Sequence, residues 1–244
     1  MAVDRASGEA IAGEQAADGA APSRVGPGGA ERRAERRLPM ALAVLVVGGL
    51  YELIPAAFRV STAFQVASPV VLLALLAVLV VGDPGRIDRS QRWLRLTTGA
   101  MIGLISAWSI GAVIRLVVGI VQKAVFTTPA ELLTAGAVTW IINIIAFALW
   151  YWHMDGGGPV ARATDRLTGR SAFRFCEQDI PELVADGWYP QFVDYLAVSF
   201  NTSTAFGAAD VSPIRHWSKL AVMAEAAISL TIATLVVARA VNVL

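Results

Sequence analysis

The chain has 244 residues, of which 56% are hydrophobic and only 16% are charged, with a mean hydropathy of +0.59. A soluble domain is about 25% charged, so this composition excludes an ordinary soluble protein and predicts an all-α protein that crosses a membrane several times. The net charge of +1 does not favour nucleic-acid binding. One cysteine excludes a disulfide within the chain, and two histidines do not favour a histidine-rich metal site.

Residues 1–37 differ in composition from the rest of the chain. They are rich in Ala, Gly and Glu, contain few large apolar residues and end in the basic sequence ERRAERR. A segment of this kind cannot bury enough apolar surface to offset its loss of conformational entropy. We therefore predict a disordered tail over 1–37.

Apolar runs of about 20 residues, the length that spans a membrane, follow the tail. Four of them make up a predicted transmembrane region at 38–152. A polar connection with an interfacial segment fills 153–190, and region 191–244 contains the fifth run. The five predicted spans are Leu38–Phe58, Val66–Val81, Leu96–Val121, Leu132–Trp152 and Trp217–Val243.

The arginines predict the orientation, because basic residues collect in cytoplasmic connections. The tail carries six arginines, and the connections after spans two and four carry four each. The two other connections have only Lys123, and Arg59 at the edge of span one. The count therefore predicts a cell-membrane protein with a cytoplasmic N-terminus. It also places the connection 153–190 on the cytoplasmic side.

The last quarter of the chain departs from this pattern of spans. Phe192–Ala209 is short for a span and polar in its second half, and the fifth apolar run follows soon after Pro213. This arrangement predicts a re-entrant helix and loop before the last helix. Non-helical backbone at membrane depth is stable only where protein or a water-filled cavity satisfies its polar groups.

The residues of this re-entrant segment resemble a known motif. Ser199 to Pro213 reads SFNTSTAFGAADVSP, which is similar without a gap to the pore loop of the potassium-channel superfamily, SFTTLTTVGYGDISP. The chain also resembles a group of bacterial multi-pass membrane proteins with such a C-terminal segment. The matching residues are Ser199, Phe200, Thr202, Thr204, Gly207, Asp210, Ser212 and Pro213.

The resemblance implies a pore formed by four copies of the chain, but the filter sequence is altered. A potassium filter coordinates the ion with backbone carbonyls in angles that Gly reaches freely. Placing Ala209 in a left-handed conformation costs roughly 1–2 kcal/mol. We therefore expect a weakly selective channel for monovalent cations. The residues that would line or brace the constriction are Thr202, Ser203, Thr204, Ala205, Phe206, Gly207, Ala208, Ala209 and Asp210.

The predicted orientation conflicts with the resemblance. Potassium-channel pore loops enter from outside, whereas here the loop follows a connection that the arginine count places inside. Either the pore enters from the cytoplasm or one span is miscounted. We favour entry from the cytoplasm.

Three ionisable residues fall inside predicted spans, where such groups are costly and often functional. Glu52 and Arg115 lie at similar depths, so they form either a structural ion pair or part of an ion path or gate. Glu225 shares one helical face with Ser229 and Ala233. It either lines a cation-attracting cavity or pairs with Arg115.

Other classes of function have less support in the sequence. We find no nucleophile–base pair, phosphate-binding glycine loop or cluster with metal-ligand spacing, so we expect neither an enzyme nor a cofactor. The main alternative to a channel is a non-conducting scaffold or partner subunit that keeps a channel-derived hairpin. A transporter is less favoured, because only one broken helix is visible.

Overall fold

The computed structural model describes residues 35–54, 62–83, 87, 91–121, 128–163, 171–185, 187–204 and 211–243. Helices dominate this part of the chain, and two three-residue strands form an antiparallel ribbon in which Phe173 pairs with Pro213 and Phe175 with Val211. In chain order the elements are α1 (Leu38–Glu52), α2 (Thr62–Gly82), α3 (Arg92–Val121), α4 (Pro129–Met154), α5 (Pro159–Ala163), β1 (Phe173–Phe175), α6 (Phe192–Thr204), β2 (Val211–Pro213) and α7 (His216–Val243).

Helix α4 is the centre of the bundle. Of its apolar stretch, 67% is buried, against 33% for α3 and 22% for α7. The helix begins where the Thr128 hydroxyl accepts a bond from the Glu131 amide and Pro129 occupies the first turn, an arrangement suited to a helix start. It ends at Gly156–Gly158, whose positive φ angles favour glycine.

Helices α6 and α7 both begin at the β1–β2 ribbon and run in the same direction. The Phe173 ring of β1 packs against Tyr195 in the first turn of α6 and against Trp217 in the first turn of α7, with 6.0 Å between ring centroids in each case. Deeper in the bundle, Ser203 of α6 contacts Ser229 of α7. The two helices therefore lie side by side and parallel.

The other helices alternate in direction around α4. Antiparallel packing of α3 on α4 is visible where Gly99 lies against His153 and where Trp150 donates to Ser106 over 2.7 Å. The segment before α1 and the end of α2 meet through an ion pair of 2.8 Å between Arg37 and Asp83. The end of α4 and the starts of α1, α3, α6 and α7 thus lie at one end of the bundle, the ribbon end.

The prediction of a mostly helical chain with helices able to cross a membrane is confirmed, but the count of five spans and the re-entrant loop are not. Among the described residues, three helices are long and apolar enough to cross a membrane: Arg92–Val121, Ala130–Gly157 and His216–Arg239. The apolar helices Leu38–Glu52 and Ala67–Gly82 are shorter. The predicted disordered tail lies outside the described residues up to position 34, whereas Glu35 and Arg37 are buried.

The first testable prediction concerns the close contact between α4 and α7. A Cβ atom at Gly136 would lie 2.6 Å from a methyl group of Val236, a stiff β-branched side chain. We expect Gly136→Ala to reduce the free energy of unfolding by roughly 1–3 kcal/mol, measured by thermal or denaturant unfolding in detergent. The control is Gly103→Ala, because a Cβ at Gly103 meets no atom within 4 Å. Equal stability of the two variants would contradict this packing.

Candidate functional site

Glu225, in the third turn of α7, is fully buried and surrounded by hydroxyl groups. Tyr151 of α4 donates to its Oε2 over 2.6 Å. Two serines of α6 contact its Oε1, Ser203 at 3.0 Å and Ser199 at a shorter distance. One carboxyl group thus joins three helices.

A line of hydrogen bonds extends from Glu225 across the bundle. Ser229 Oγ donates to Ser203 Oγ over 3.0 Å, and Asn143 Nδ2 donates to Ser229 Oγ over 3.3 Å. Ser109 of α3 reaches Asn143 Oδ1 at 3.4 Å. We call Glu225, these residues, Tyr151 and Ser199 the inner network. Its hydrogen bonds satisfy polar groups that would each cost a few kcal/mol if buried alone.

Some of the residues predicted to line or brace a pore belong to the inner network or lie near it. Ser203 belongs to it, Thr204 Oγ1 donates to the Asn201 carbonyl over 3.1 Å, and Thr202 is half-buried. Ala205, Phe206, Gly207, Ala208, Ala209 and Asp210 lie outside the described residues.

The predicted intramembrane charges have different environments. Glu52 is exposed at the last residue of α1, and Arg115 is half-buried on α3. The partners of Glu225 in the described structure are the three hydroxyl groups rather than Arg115. The face that Glu225 and Ser229 share is turned towards α4 and α6, whereas Ala233 is exposed.

A second polar cluster, which the sequence did not predict, lies at the ribbon end. Asp155 is fully buried directly after α4. Its carboxylate accepts bonds from the Ala172 amide at 2.5 Å, from the Ser171 hydroxyl at 3.1 Å and from Tyr195 Oη at 2.6 Å. Asp155 therefore fixes the approach to β1 and the first turn of α6 against the end of α4. We call Asp155, Arg162 and Glu35 with their partners the outer cluster.

Arg162 of α5 holds the same region through backbone groups. Its guanidinium donates to the carbonyls of Trp152 at 2.9 Å, Asp155 at 2.6 Å and Pro190 at 3.3 Å. The guanidinium thus supplies hydrogen-bond donors to carbonyl groups at the C-terminal end of α4, which a helix leaves without partners, and its positive charge is favourable at that end. It also lies over the Tyr195 ring, 4.9 Å from the centroid.

Glu35 attaches the segment before α1 to the cluster. Its carboxylate accepts the Trp152 indole N–H at 2.8 Å and the backbone N–H of Phe192, the first residue of α6, at 2.6 Å. Burial raises the pKa of the Glu35 carboxyl above its ordinary value, although these two hydrogen bonds act in the opposite direction. Glu35 supplies an acceptor for one of the free amides at the start of α6.

The sequence contained only a weak signal for this cluster. Arg162 was one of several arginines in a polar connection, and Gly156–Gly158 indicated a flexible break. The structure instead contains a defined turn with φ angles of 59°, 91° and 97° at these glycines. An aspartate directly before such a run, at the end of a span, was the one local signal.

The comparisons with known proteins do not add to these observations. No protein-family model, curated protein or solved structure matches the chain. The resemblance to the potassium-channel pore loop therefore rests on the fifteen residues Ser199–Pro213 alone.

The contacts within the two clusters are hydrogen bonds. Within the described ranges no group of three or more His, Cys, Asp or Glu side chains is arranged to hold a metal ion. Hydroxyl, carboxyl and amide groups dominate the inner network, and they can position α6 or exchange a proton.

The second prediction tests whether Asp155 holds the ribbon end together. Asp155→Asn replaces one acceptor oxygen with an N–H donor that faces other donors, so we expect a loss of about 1–3 kcal/mol in the free energy of unfolding. Asp179→Asn is the matched control, because Asp179 is half-exposed and forms a surface ion pair with Arg174. Such pairs contribute about 0–1 kcal/mol. An equal effect of the two substitutions in denaturant unfolding would contradict the assignment.

Proposed function

We propose that the protein is a channel-like membrane protein in which α6 is a re-entrant pore helix. The observation that carries this proposal is the parallel arrangement of α6 and α7, whose first turns both contact Phe173. A helix that crossed the membrane would deliver the next helix to the opposite end of the bundle. Here α7 begins at the same end as α6, since Ser218 Oγ and the Ile214 amide bond to the Ala172 carbonyl beside β1.

The length of α6 supports the same interpretation. Its 13 residues extend about 20 Å, which is less than the roughly 30 Å of a bilayer core. Its C-terminal half is polar, and Ser199 and Ser203 are bonded to groups of α4 and α7. These bonds meet the requirement that a helix ending at membrane depth has its polar groups satisfied by protein.

The charge distribution supports an orientation in which α6 enters from the cytoplasm. Arg37, Arg92, Arg95, Arg162 and Arg174 belong to the segments at the ribbon end. Basic connections are cytoplasmic in membrane proteins. In this proposal α2, α3, α4 and α7 are spans together with the predicted span Leu38–Phe58, of which α1 is the described part. The ribbon is cytoplasmic, and the pore is inverted relative to potassium channels.

Four copies of the chain would surround the pore, with residues 202–210 at its constriction. Helix α4 is the most buried of the three long helices, with 67% of its apolar stretch buried. Only 22% of the α7 stretch is buried, so α7 is available to pack against lipid or another copy. The altered filter favours weak selectivity among monovalent cations, because Ala208 and Ala209 disfavour a potassium-like array of carbonyls.

The alternative is a non-conducting scaffold or partner subunit. The filter substitutions favour it, and so does the inner network, which attaches α6 to its own bundle without help from a second copy. The two functions differ in whether purified protein conducts.

The third prediction tests the orientation with a native reporter. Cys176, the one cysteine of the chain, is exposed beside β1. We expect a membrane-impermeant maleimide to label it in inside-out vesicles and after permeabilisation, but not in intact cells. Cys176→Ser controls for background labelling. Labelling in intact cells would place the ribbon outside and refute entry from the cytoplasm.

The fourth prediction tests conduction by recording purified protein in planar bilayers. We expect cation currents that Asp210→Asn reduces and Gly207→Val abolishes, because these residues match the mouth and filter of the channel motif. Asp179→Asn, a change at an exposed acid on the ribbon side, should leave the currents unchanged. Folded protein that is silent across ions and voltages, or that is monomeric, would favour the scaffold, since one subunit cannot enclose such a pore.

A further inference from the structure

Glu225 has no ion-pair partner in the part of the chain that the structure describes. Among the described residues no Lys, Arg or His forms an ion pair with its carboxyl group, and its three partners are hydroxyl groups. An ionised carboxylate at this depth without a cation would be strongly disfavoured. A proton on the carboxyl group removes that cost.

The hydrogen bonds of Ser199 also favour a protonated Glu225. The Ser199 hydroxyl lies 2.7 Å from the Ile144 carbonyl and also contacts Glu225 Oε1, but it has only one hydrogen. Neither a carbonyl nor an ionised carboxylate can donate, and the one Ser199 hydrogen serves one of the two contacts, here the Ile144 carbonyl. The contact between Ser199 and Glu225 then requires a hydrogen from the carboxyl group.

A neutral Glu225 gives every contact in the inner network its own hydrogen. The carboxyl donates to Ser199, which donates to the Ile144 carbonyl. Tyr151 donates to Oε2, Ser203 donates to Oε1, and Ser229 donates to Ser203. An ionised Glu225 would leave two oxygens facing each other without a hydrogen between them.

We propose that Glu225 is a proton-binding site whose proton fastens α6 to α4 and α7. Loss of the proton would break the contact with Ser199 and leave a buried charge, so the C-terminal half of α6 would detach more often. This inference concerns the attachment of α6 and does not depend on whether the protein conducts.

Among the other titratable groups that the structure describes on these helices, Tyr151 of α4 is the one that contacts Glu225. On α6, Asp194 bonds the Gln191 amide and Tyr195 bonds Asp155, both at the ribbon end. The other titratable groups of the neighbouring helices lie outside hydrogen-bond contact with Glu225: Arg92, Arg95 and Arg115 of α3, Glu131 and His153 of α4, and His216, Lys219 and Arg239 of α7.

The fifth prediction is tested by infrared difference spectroscopy of the purified full chain in bilayers. We expect a carbonyl band of a neutral carboxylic acid that shifts in deuterated water, is absent from Glu225→Gln and disappears on alkaline titration. Ser199→Ala should shift this band without removing it, because one hydrogen bond of the acid is lost. Absence of the band in acidic to neutral buffer would overturn the proposal. A band that appears only when sodium is replaced by a large organic cation would also overturn it, since a metal ion would then occupy the site.

A cysteine at Thr204, the last residue of α6, reports the attachment of that helix. Both proteins to be compared carry Cys176→Ser and Thr204→Cys, and one of them also carries Glu225→Gln. We expect alkaline titration to increase the rate of maleimide labelling roughly two- to tenfold more in the protein with Glu225 than in the protein with Gln. This is the ratio expected for the loss of one hydrogen bond. The Gln side chain keeps a donor for Ser199 and an acceptor for Tyr151 at every pH. An equal increase in both proteins would contradict the proton-dependent attachment.

Discussion

The C-terminal half of the structure depends on the satisfaction of buried polar groups at the end of α4. A helix leaves its last carbonyls without partners, and α4 carries a fully buried aspartate directly after them. Arg162 satisfies the carbonyls, and the Asp155 carboxylate binds the segment that leads into β1 and the Tyr195 hydroxyl of α6. The direction of α6 follows from these bonds, because its first turn is held at the ribbon end.

The same constraint operates deeper in the bundle, with different chemistry. The Asp155 carboxylate accepts from a backbone amide as well as from hydroxyl groups, whereas the described partners of the Glu225 carboxyl are all hydroxyl groups. An acid among neutral hydroxyls in an apolar bundle is most stable when protonated. The two carboxyl groups therefore hold α6 at its two ends, Asp155 through Tyr195 and Glu225 through Ser199 and Ser203.

The sequence predicted the long helices well, because apolar runs of span length admit few other structures. The predicted spans Leu96–Val121, Leu132–Trp152 and Trp217–Val243 differ from α3, α4 and α7 by only a few residues at their ends. The polar contacts were not predictable in the same way. The partner of Asp155 in α6 is 40 residues away, and strands of three residues are too short for an alternating pattern to be recognised.

The candidate site was predicted in its parts but not in its connections. Glu225 and Ser203 were both identified, yet their hydrogen bond joins residues 22 positions apart and depends on α6 and α7 being parallel. That arrangement requires the chain to return to the ribbon after α6, and the register of β1 with β2 is the feature that establishes the return. A single sequence does not contain this pairing in any local pattern.

The contacts described for α6 come from residues that precede the altered filter positions 205–209. Ser199 and Ser203 bind Glu225, Tyr195 binds Asp155, and Glu35 binds the Phe192 amide, all before position 205. None of these contacts uses a side chain of the filter positions. A filter with alanine in place of glycine is thus compatible with the contacts described between α6 and α7.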